Sequence, residues 1–330
     1  MIWLTWRQHR GQILTALVTL LLLGVLLFVT GRQMRDAFTS GGLEACLDTL
    51  GTPAFVPIDG SSNCVDLGES FAARFFNLRL LALVGFLVLP LLLGMFLGAP
   101  VVARELEQGT HQLVWTQGVG RRRWAVTKFA LLALSVLVLG SIFAVAVDLW
   151  FEPLNRATGQ RFTWLIFDQQ GIVVAGYAVF AFALGVLAGA MTRRTLRAMG
   201  VTLLLFCIVR FGVAVWVRPE LAPRAERSYP VVATTMPNRL VGDWIIGGGG
   251  PGVGGIYDAE GREVQGGQSF CEPDRAQECV DEYGEGAMNF EIYQPADRYW
   301  RFQVLEALVF AGLSFVLLGA AVWWIRRRLT

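Results

Sequence analysis

Six stretches of the chain run nearly unbroken in Leu, Val, Ala and Phe, at residues 12–30, 76–99, 129–149, 171–191, 198–217 and 302–325. Each approaches the roughly 20 apolar residues that a bilayer-spanning helix needs. The apolar residues surround each stretch instead of forming one stripe, as in a helix with no water-facing side. The pattern predicts an all-α membrane protein of six transmembrane helices, one domain over residues 1–330. The first stretch follows Arg7 and Arg10 as a signal peptide would. It is long, however, and no A-x-A site precedes the polar residues 32–36, so it reads as an uncleaved span.

Charge placement gives the expected orientation. Basic residues beside the spans collect on one set of flanks: Arg7 and Arg10, then Arg104, Arg121, Arg122, Arg123 and Lys128, then Arg193, Arg194 and Arg197, and finally Arg326, Arg327 and Arg328. Only two acids, Glu105 and Glu107, share that face. By the positive-inside rule both termini are cytoplasmic, and residues 31–74 and 218–301 form two long extracytoplasmic loops. The chain is then expected to cross the membrane several times, with its basic flanks on the cytoplasmic side. Trp3 and Trp6 beside Arg7 suit the headgroup layer, and Arg121, Arg122, Arg123 and Lys128 suit the lipid surface at the entry to the third span. A plain membrane anchor at the N-terminus accounts for the same residues.

Composition then removes function classes. Charged residues make up 16% of the chain and hydrophobic ones 54%, against about a quarter charged in soluble domains. The only lysine is Lys128, and residues 122–127 before it contain no glycine, so no G-x-x-x-x-G-K-[ST] loop exists. With two histidines, His9 and His111, and no H-E-x-x-H or paired intramembrane aspartates, neither metal nor nucleophilic hydrolysis finds its residues. The expectation is a non-enzyme with no catalytic residue, no metal and no nucleic-acid partner.

The cysteines divide as two outer pairs and one intramembrane residue, Cys207. Cys46 with Cys64 and Cys271 with Cys279 are expected to form two local disulfides in an oxidising compartment, with free thiols as the alternative. The glycine-rich run 247–255 reads as a flexible outer loop with a hairpin near residues 258–261. It faces outward and opens no helix, so it is no nucleotide fingerprint. Residues 94–98 and 185–189 match G-x-x-x-G, which permits close helix approach.

The segment 103–124 between the second and third spans has its own logic. Gly109 breaks the helix, Thr110 can cap a new one, and Leu113, Val114 and Trp115 give that short helix something to pack with. Glycines 118 and 120 follow, and Arg121–123 return the chain to the lipid surface. The order E-x-E-x-G-T, an apolar turn, then R-x-x-W-x-x-x-K is carried by Glu105, Glu107, Gly109, Thr110, Arg121, Trp124 and Lys128. It resembles the permease subunits of type-two ATP-binding-cassette exporters. The opening residues 3–8 and the C-terminal aromatic and basic residues 299–306 and 323–328 are similar to one bacterial subgroup of that family. Gly118 departs from the pattern, since the family often carries proline there.

The resemblance implies a division of labour. Two permease chains, as a homodimer or heterodimer, form the pathway in the lipid bilayer, and a separate cytoplasmic ATPase subunit binds ATP and Mg. This chain would bind no cofactor itself. The coupling role falls on Glu105, Glu107, Gly109, Thr110, Leu113 and Trp115, with the two glutamates able to meet basic groups on the ATPase. Export is the direction the family implies. The alternative function is an envelope sensor or ligand-binding protein without transport, which accounts for the long loops and leaves the 105–128 segment unexplained.

Three ionisable groups fall within or at the edge of spans: Arg210, Asp148 and Glu306. A charge at the bilayer centre costs at least about 2.5–3.5 kcal/mol, so such groups face protein or water. Arg210 and Glu306 come out at similar depth and are expected to pair, locking spans five and six near an outer gate; the alternative is Arg210 snorkelling to the headgroups.

Overall fold

The computed structural model describes residues 2–49, 63–109, 120–158, 160–232, 243–246, 254–266, 271 and 275–328. Helices among them are α1 (Ile2–Ser40), α2 (Leu43–Thr49), α3 (Asn63–Arg74), α4 (Phe76–Glu107) and α5 (Arg121–Thr158). They continue with α6 (Trp164–Phe167), α7 (Val173–Thr192), α8 (Thr195–Gly212), α9 (Ala276–Tyr283) and α10 (Tyr299–Arg328). Six are long and apolar enough to cross a membrane, over Ile13–Ser40, Phe76–Glu107, Arg122–Thr158, Val173–Thr192, Thr195–Glu220 and Ala296–Arg328. Each contains or closely overlaps one of the apolar runs. The helices overshoot those runs because composition changes at the edge of the lipid, whereas the backbone hydrogen-bond ladder can continue through polar residues.

The six spans differ in how much protein surrounds them. In span four, α7, 83% of the apolar window is buried, against 11% in span one. Helix α7 is the hub, packed against α4, α5, α8 and α10, while α1 leans chiefly on α5. Small residues make the hub possible. A Cβ on Gly94 would lie 2.4 Å from the Ala178 carbonyl, and one on Gly98 would lie 2.4 Å from that of Phe182. From the other side, a Cβ on Gly185 would lie 2.7 Å from the Ala99 nitrogen. The two G-x-x-x-G matches therefore face each other across α4 and α7, where dispersion between closely approaching backbones replaces the hydrophobic drive that lipid removes.

Between α5 and α7 the chain does not simply turn. Residues Gln160–Phe162 make one 3-10 turn, α6 follows, and Phe162, Ile166, Phe167, Asp168, Gln169 and Gln170 are all buried. Irregular backbone away from water must be satisfied by protein. Gln303 on α10 does this, accepting from the Val173 N–H at 3.0 Å and donating to the Phe167 carbonyl at 3.2 Å. Gly171 sits at φ +71°, and a Cβ there would lie 2.5 Å from Gln303 Oε1, so glycine is required both for the backbone and for the space.

The long segment 218–301, expected as an outer loop with a hairpin near residues 258–261, carries regular structure among its described residues. It holds an antiparallel sheet of β1 (Ala225–Pro230), β2 (Trp244–Ile245), β3 (Gly254–Tyr257), β4 (Glu263–Gly266) and β5 (Met288–Gln294). The order is β1-β5-β3-β4, with β2 also paired to β5. Gly254 and Gly255, the end of the glycine run, lie inside β3; a Cβ on Gly255 would come within 3.0 Å of the Gln265 carbonyl. Residues 247–253 lie outside the described set. β3 and β4 form a hairpin around Asp258, with Gly261 at φ +78°. The disulfide Cys271–Cys279 links α9 to the residue that bridges Val232. The described residues between 31 and 74 are likewise largely helical, with α2 held to α5 by Arg156, which reaches Glu44 at 3.1 Å and Asp48 at 3.0 Å. Cys46 is disulfide-bonded; the side chain of Cys64 lies outside the described set.

Candidate functional site

Two polar constellations stand on the membrane helices, one at the bundle end that carries the termini and one deep among the spans. At the first, α4 ends as expected: Gln108 closes its last turn on Arg104, and Gly109 leaves the helix at φ +68°. The two glutamates before it are engaged within the chain. Glu105 accepts from Lys128 at 2.6 Å. Lys128 is only 1% exposed, donates also to the Val101 carbonyl at 3.1 Å and lies 5.2 Å from the Trp124 ring. Lys128 is therefore no lipid-surface anchor: it sits on the α4-facing side of α5, where carboxylate, carbonyl and indole together replace its hydration. Glu107 accepts from the Thr195 backbone N–H at 3.0 Å and from the Thr195 hydroxyl at 2.8 Å. It thereby caps α8 from a neighbouring helix, where the Arg194 side chain makes no capping bond.

Arg104, Arg122, Arg123, Arg193, Arg194 and Arg197 are exposed at this same end. Arg193 and Arg194 alone join α7 to α8, and Arg193 adopts φ +54° to make that tight turn. Thr110, Leu113 and Trp115 lie outside the described residues. The backbone at Trp3, Trp6 and Arg7 belongs to α1 and that at Arg121 to α5, but their side chains lie outside the described set.

The second constellation gathers Asp168, Tyr177, Arg210, Arg218 and Glu306, all buried. Arg218 binds Glu306 through two bonds, Nε to Oε2 at 2.7 Å and Nη2 to Oε1 at 2.9 Å. Its Nη2 also donates to Asp168, and its guanidinium lies 4.4 Å from the Phe167 ring centroid. Arg210 reaches the other Asp168 oxygen at 3.3 Å and the Leu87 carbonyl of α4 at 3.1 Å, over the Tyr177 ring. The Tyr177 hydroxyl lies 2.6 Å from Glu306 and 3.0 Å from Asp168, and has one proton to donate between them. The cluster thus ties α4, α7, α8 and α10 to the buried residues Ile166–Gln170.

The direct Arg210–Glu306 pair expected from depth does not form. Arg210 takes Asp168, and Glu306 is taken by Arg218. The reason lies in span five, whose apolar stretch ends in a π-helical turn, Val213–Val217, and which continues through a 3-10 turn, Arg218–Glu220. Eight residues along a regular α-helix leave a rotation of about 80°. The wider π turn takes up roughly one further residue and swings Arg218 back toward the face of Arg210. Sequence reasoning missed Arg218, Asp168 and Tyr177. The available signal was Trp164–Phe167, an apolar quartet inside a connection and directly followed by Asp-Gln-Gln. Asp148, at the edge of the third span, pairs instead with Arg161 at 3.3 Å.

A third polar group stands in the sheet. Arg227 reaches Asp243 at 2.8 Å and Glu291 at 2.7 Å, and lies 4.2 Å from the Tyr293 ring. Tyr229 donates to Glu291, and Asp243 also accepts from the Ala296 N–H at 2.9 Å. Burial raises the Asp243 pKa, and the neighbouring Glu291 charge adds to it, against the opposing Ala296 and Arg227 hydrogen bonds. The Arg227 pKa is raised: burial lowers it, but the two carboxylates outweigh that loss.

A family model described as ABC-2 membrane transporter related matches residues 17–218, the first five spans and the connections between them. No curated protein and no solved structure matches the chain.

Proposed function

Because the chain belongs to the ABC-2 membrane transporter related family, a group of multi-pass transport components, we propose that it is the permease subunit of an exporter driven by a separate ATPase. The observation that carries this is the family match together with six membrane-crossing helices. The ATPase supplies the ATP and Mg sites, and a second permease chain completes the pathway. In this reading the termini and the 108–120 connection face the cytoplasm of a bacterial cell and the sheet lies outside it, an orientation that the basic flanks support.

In this reading the connection that leaves α4 at Gly109 and rejoins the helical path at α5 is the coupling segment. Leu113 and Trp115 dock on the ATPase, while Thr110 starts the short helix. Glu105 and Glu107 take a different part from the one their charge suggests. They fix the base of the segment to α5 and α8, so that force on the segment reaches spans three and five. The exposed arginines around this base remain available for acidic groups on the ATPase.

Co-purification with the candidate ATPase tests the reading. Buried tryptophans at interface centres are worth about 2 kcal/mol or more. Trp115→Ala is therefore expected to reduce ATPase recovery by about 30-fold, and ATP-dependent flux in proteoliposomes holding both proteins should fall with it. Undiminished recovery and flux would remove the coupling assignment. Nucleotide hydrolysis by the purified chain alone would remove the division of labour.

A further inference from the structure

A groove of about 830 Å³ runs along the outside of the bundle between α5, α7 and α10. Its floor is made of small side chains, Ala144, Ala175 and Ser314 among them, and its rims are large and exposed, including Leu134, Leu308 and Phe315. From Ala133 to Asp148 on α5 it extends about 22 Å at the helical rise. Extended hydrocarbon chains are thin enough to lie along a groove of this length and volume.

One end of the groove is polar. Asp148 and Trp300 line it. Arg161 pairs with Asp148 at 3.3 Å and lies 4.9 Å from the Trp300 ring and 4.3 Å from that of Tyr299. The pair is not closed off, since 34% of the Arg161 side chain and 25% of the Asp148 side chain remain exposed. Tryptophan and tyrosine beside a charge mark the level of lipid headgroups. The mouth offers one positive and one negative group, whose charges sum to zero. That pattern complements a headgroup carrying both a phosphate and an ammonium, and gives a purely anionic one no net attraction.

We propose that this groove is a binding site for a zwitterionic glycerophospholipid of the phosphoethanolamine class. An acyl chain lies along α5, α7 and α10, the phosphate meets Arg161 and the ammonium meets Asp148. Dispersion against the small-residue floor holds the tail, because surrounding lipid offers no hydrophobic drive of its own. The site involves none of the residues assigned to coupling.

The test uses the full chain in nanodiscs of phosphatidylethanolamine and phosphatidylglycerol in equal amounts, followed by transfer to mild detergent and mass spectrometry of the lipid retained. The wild type is expected to retain phosphatidylethanolamine in excess over its share. Ala311→Phe fills the groove from an exposed position and should lower the retained amount by about fivefold, roughly 1 kcal/mol. Arg161→Gln leaves the groove open and should abolish the headgroup preference while tail occupancy persists. Retained lipid that mirrors the nanodisc in the wild type and in both variants would overturn the proposal, as would enrichment of phosphatidylglycerol. Efficient cross-linking of Ala311→Cys chains to one another would show a second copy in the groove and overturn it as well.

Discussion

The buried charge cluster among the spans and the one in the sheet are built from the same parts. Each sets an arginine between two carboxylates, brings a tyrosine hydroxyl to one of them and lays the guanidinium near an aromatic ring. Arg218 does this with Asp168, Glu306, Tyr177 and Phe167. Arg227 does it with Asp243, Glu291, Tyr229 and Tyr293. The difference is one residue. Among the described residues, Arg210 joins the membrane cluster and brings it to two positive and two negative groups, whereas the sheet cluster has one positive group for two negative ones. At membrane depth there is no water to solvate a residual charge, so the count has to close. In the sheet, the Arg227 side chain is 17% exposed, and burial raises the Asp243 pKa.

The same substitution in both clusters gives the largest contrast. Arg218→Met leaves two buried carboxylates against Arg210 alone, and breaking a buried pair from one side costs about 3–5 kcal/mol. Little folded, monodisperse protein is expected after detergent extraction. Arg227 itself reaches water, at 17% exposure against 1% for Arg218, and the cost of Arg227→Met is expected to be about 1–3 kcal/mol. Thermal unfolding followed by size-exclusion fluorescence measures both. Equal losses would mean that depth in the membrane does not set the price of imbalance.

A smaller effect tests the count itself. Arg210→Gln leaves the membrane cluster one negative charge in excess, and a loss of about 2–3 kcal/mol is expected. Asp168→Asn on top of it restores one arginine to one carboxylate, Arg218 to Glu306. The pair of substitutions should recover about 1 kcal/mol relative to the sum of the two singles, within the usual range for contacting residues. In the sheet, Asp243→Asn leaves the Arg227–Glu291 pair in place and is expected to cost less than either membrane substitution. Strict additivity of the two membrane substitutions would argue that Arg210 acts through the Leu87 carbonyl and the Tyr177 ring, with no part in a charge balance.

Both outcomes bear on what the sequence could reveal. The spans were legible because their signal is local: about 20 apolar residues declare a helix without reference to any partner. Gly109 was legible as the end of α4 for the same reason. Arg218 was not, because it is the first residue beyond an apolar run and only the π turn before it returns it to the bundle. Asp168 sits in a connection whose burial depends on α10, more than 130 residues away. Lys128 follows three arginines and reads as one more surface cation, while the space beside Val101 that takes it in is a property of two helices packed together. The sheet was hidden by its brevity, with strands of two to seven residues and glycines in β3. Nothing in such short runs distinguishes a strand from a loop until β5 lies between its neighbours.

The smallest expected effect separates two carboxylates within the sheet region. The Asp243 pKa is raised by burial, whereas that of Asp258 is lowered, first by the Arg262 backbone N–H at 2.8 Å. A raised carboxyl pKa means that the fold prefers the protonated form. Its contribution to stability is complete below the ordinary carboxylate range and is lost as pH rises through the raised value. A lowered pKa means the reverse: the Asp258 contribution is present above the ordinary range and is lost as pH falls through the depressed value. Hydrogen exchange of peptides from residues 225–294 should therefore show protection near β2 and Ala296 declining as pH climbs above the ordinary carboxylate range. Protection at the β3–β4 turn should decline only under strong acid, once the intrinsic pH dependence of exchange is removed. Asp243→Asn should flatten the first slope and leave the second, and Asp258→Asn should do the opposite. If Asp243→Asn instead lowers protection at every pH, the ionised pair with Arg227 outweighs the cost of burial.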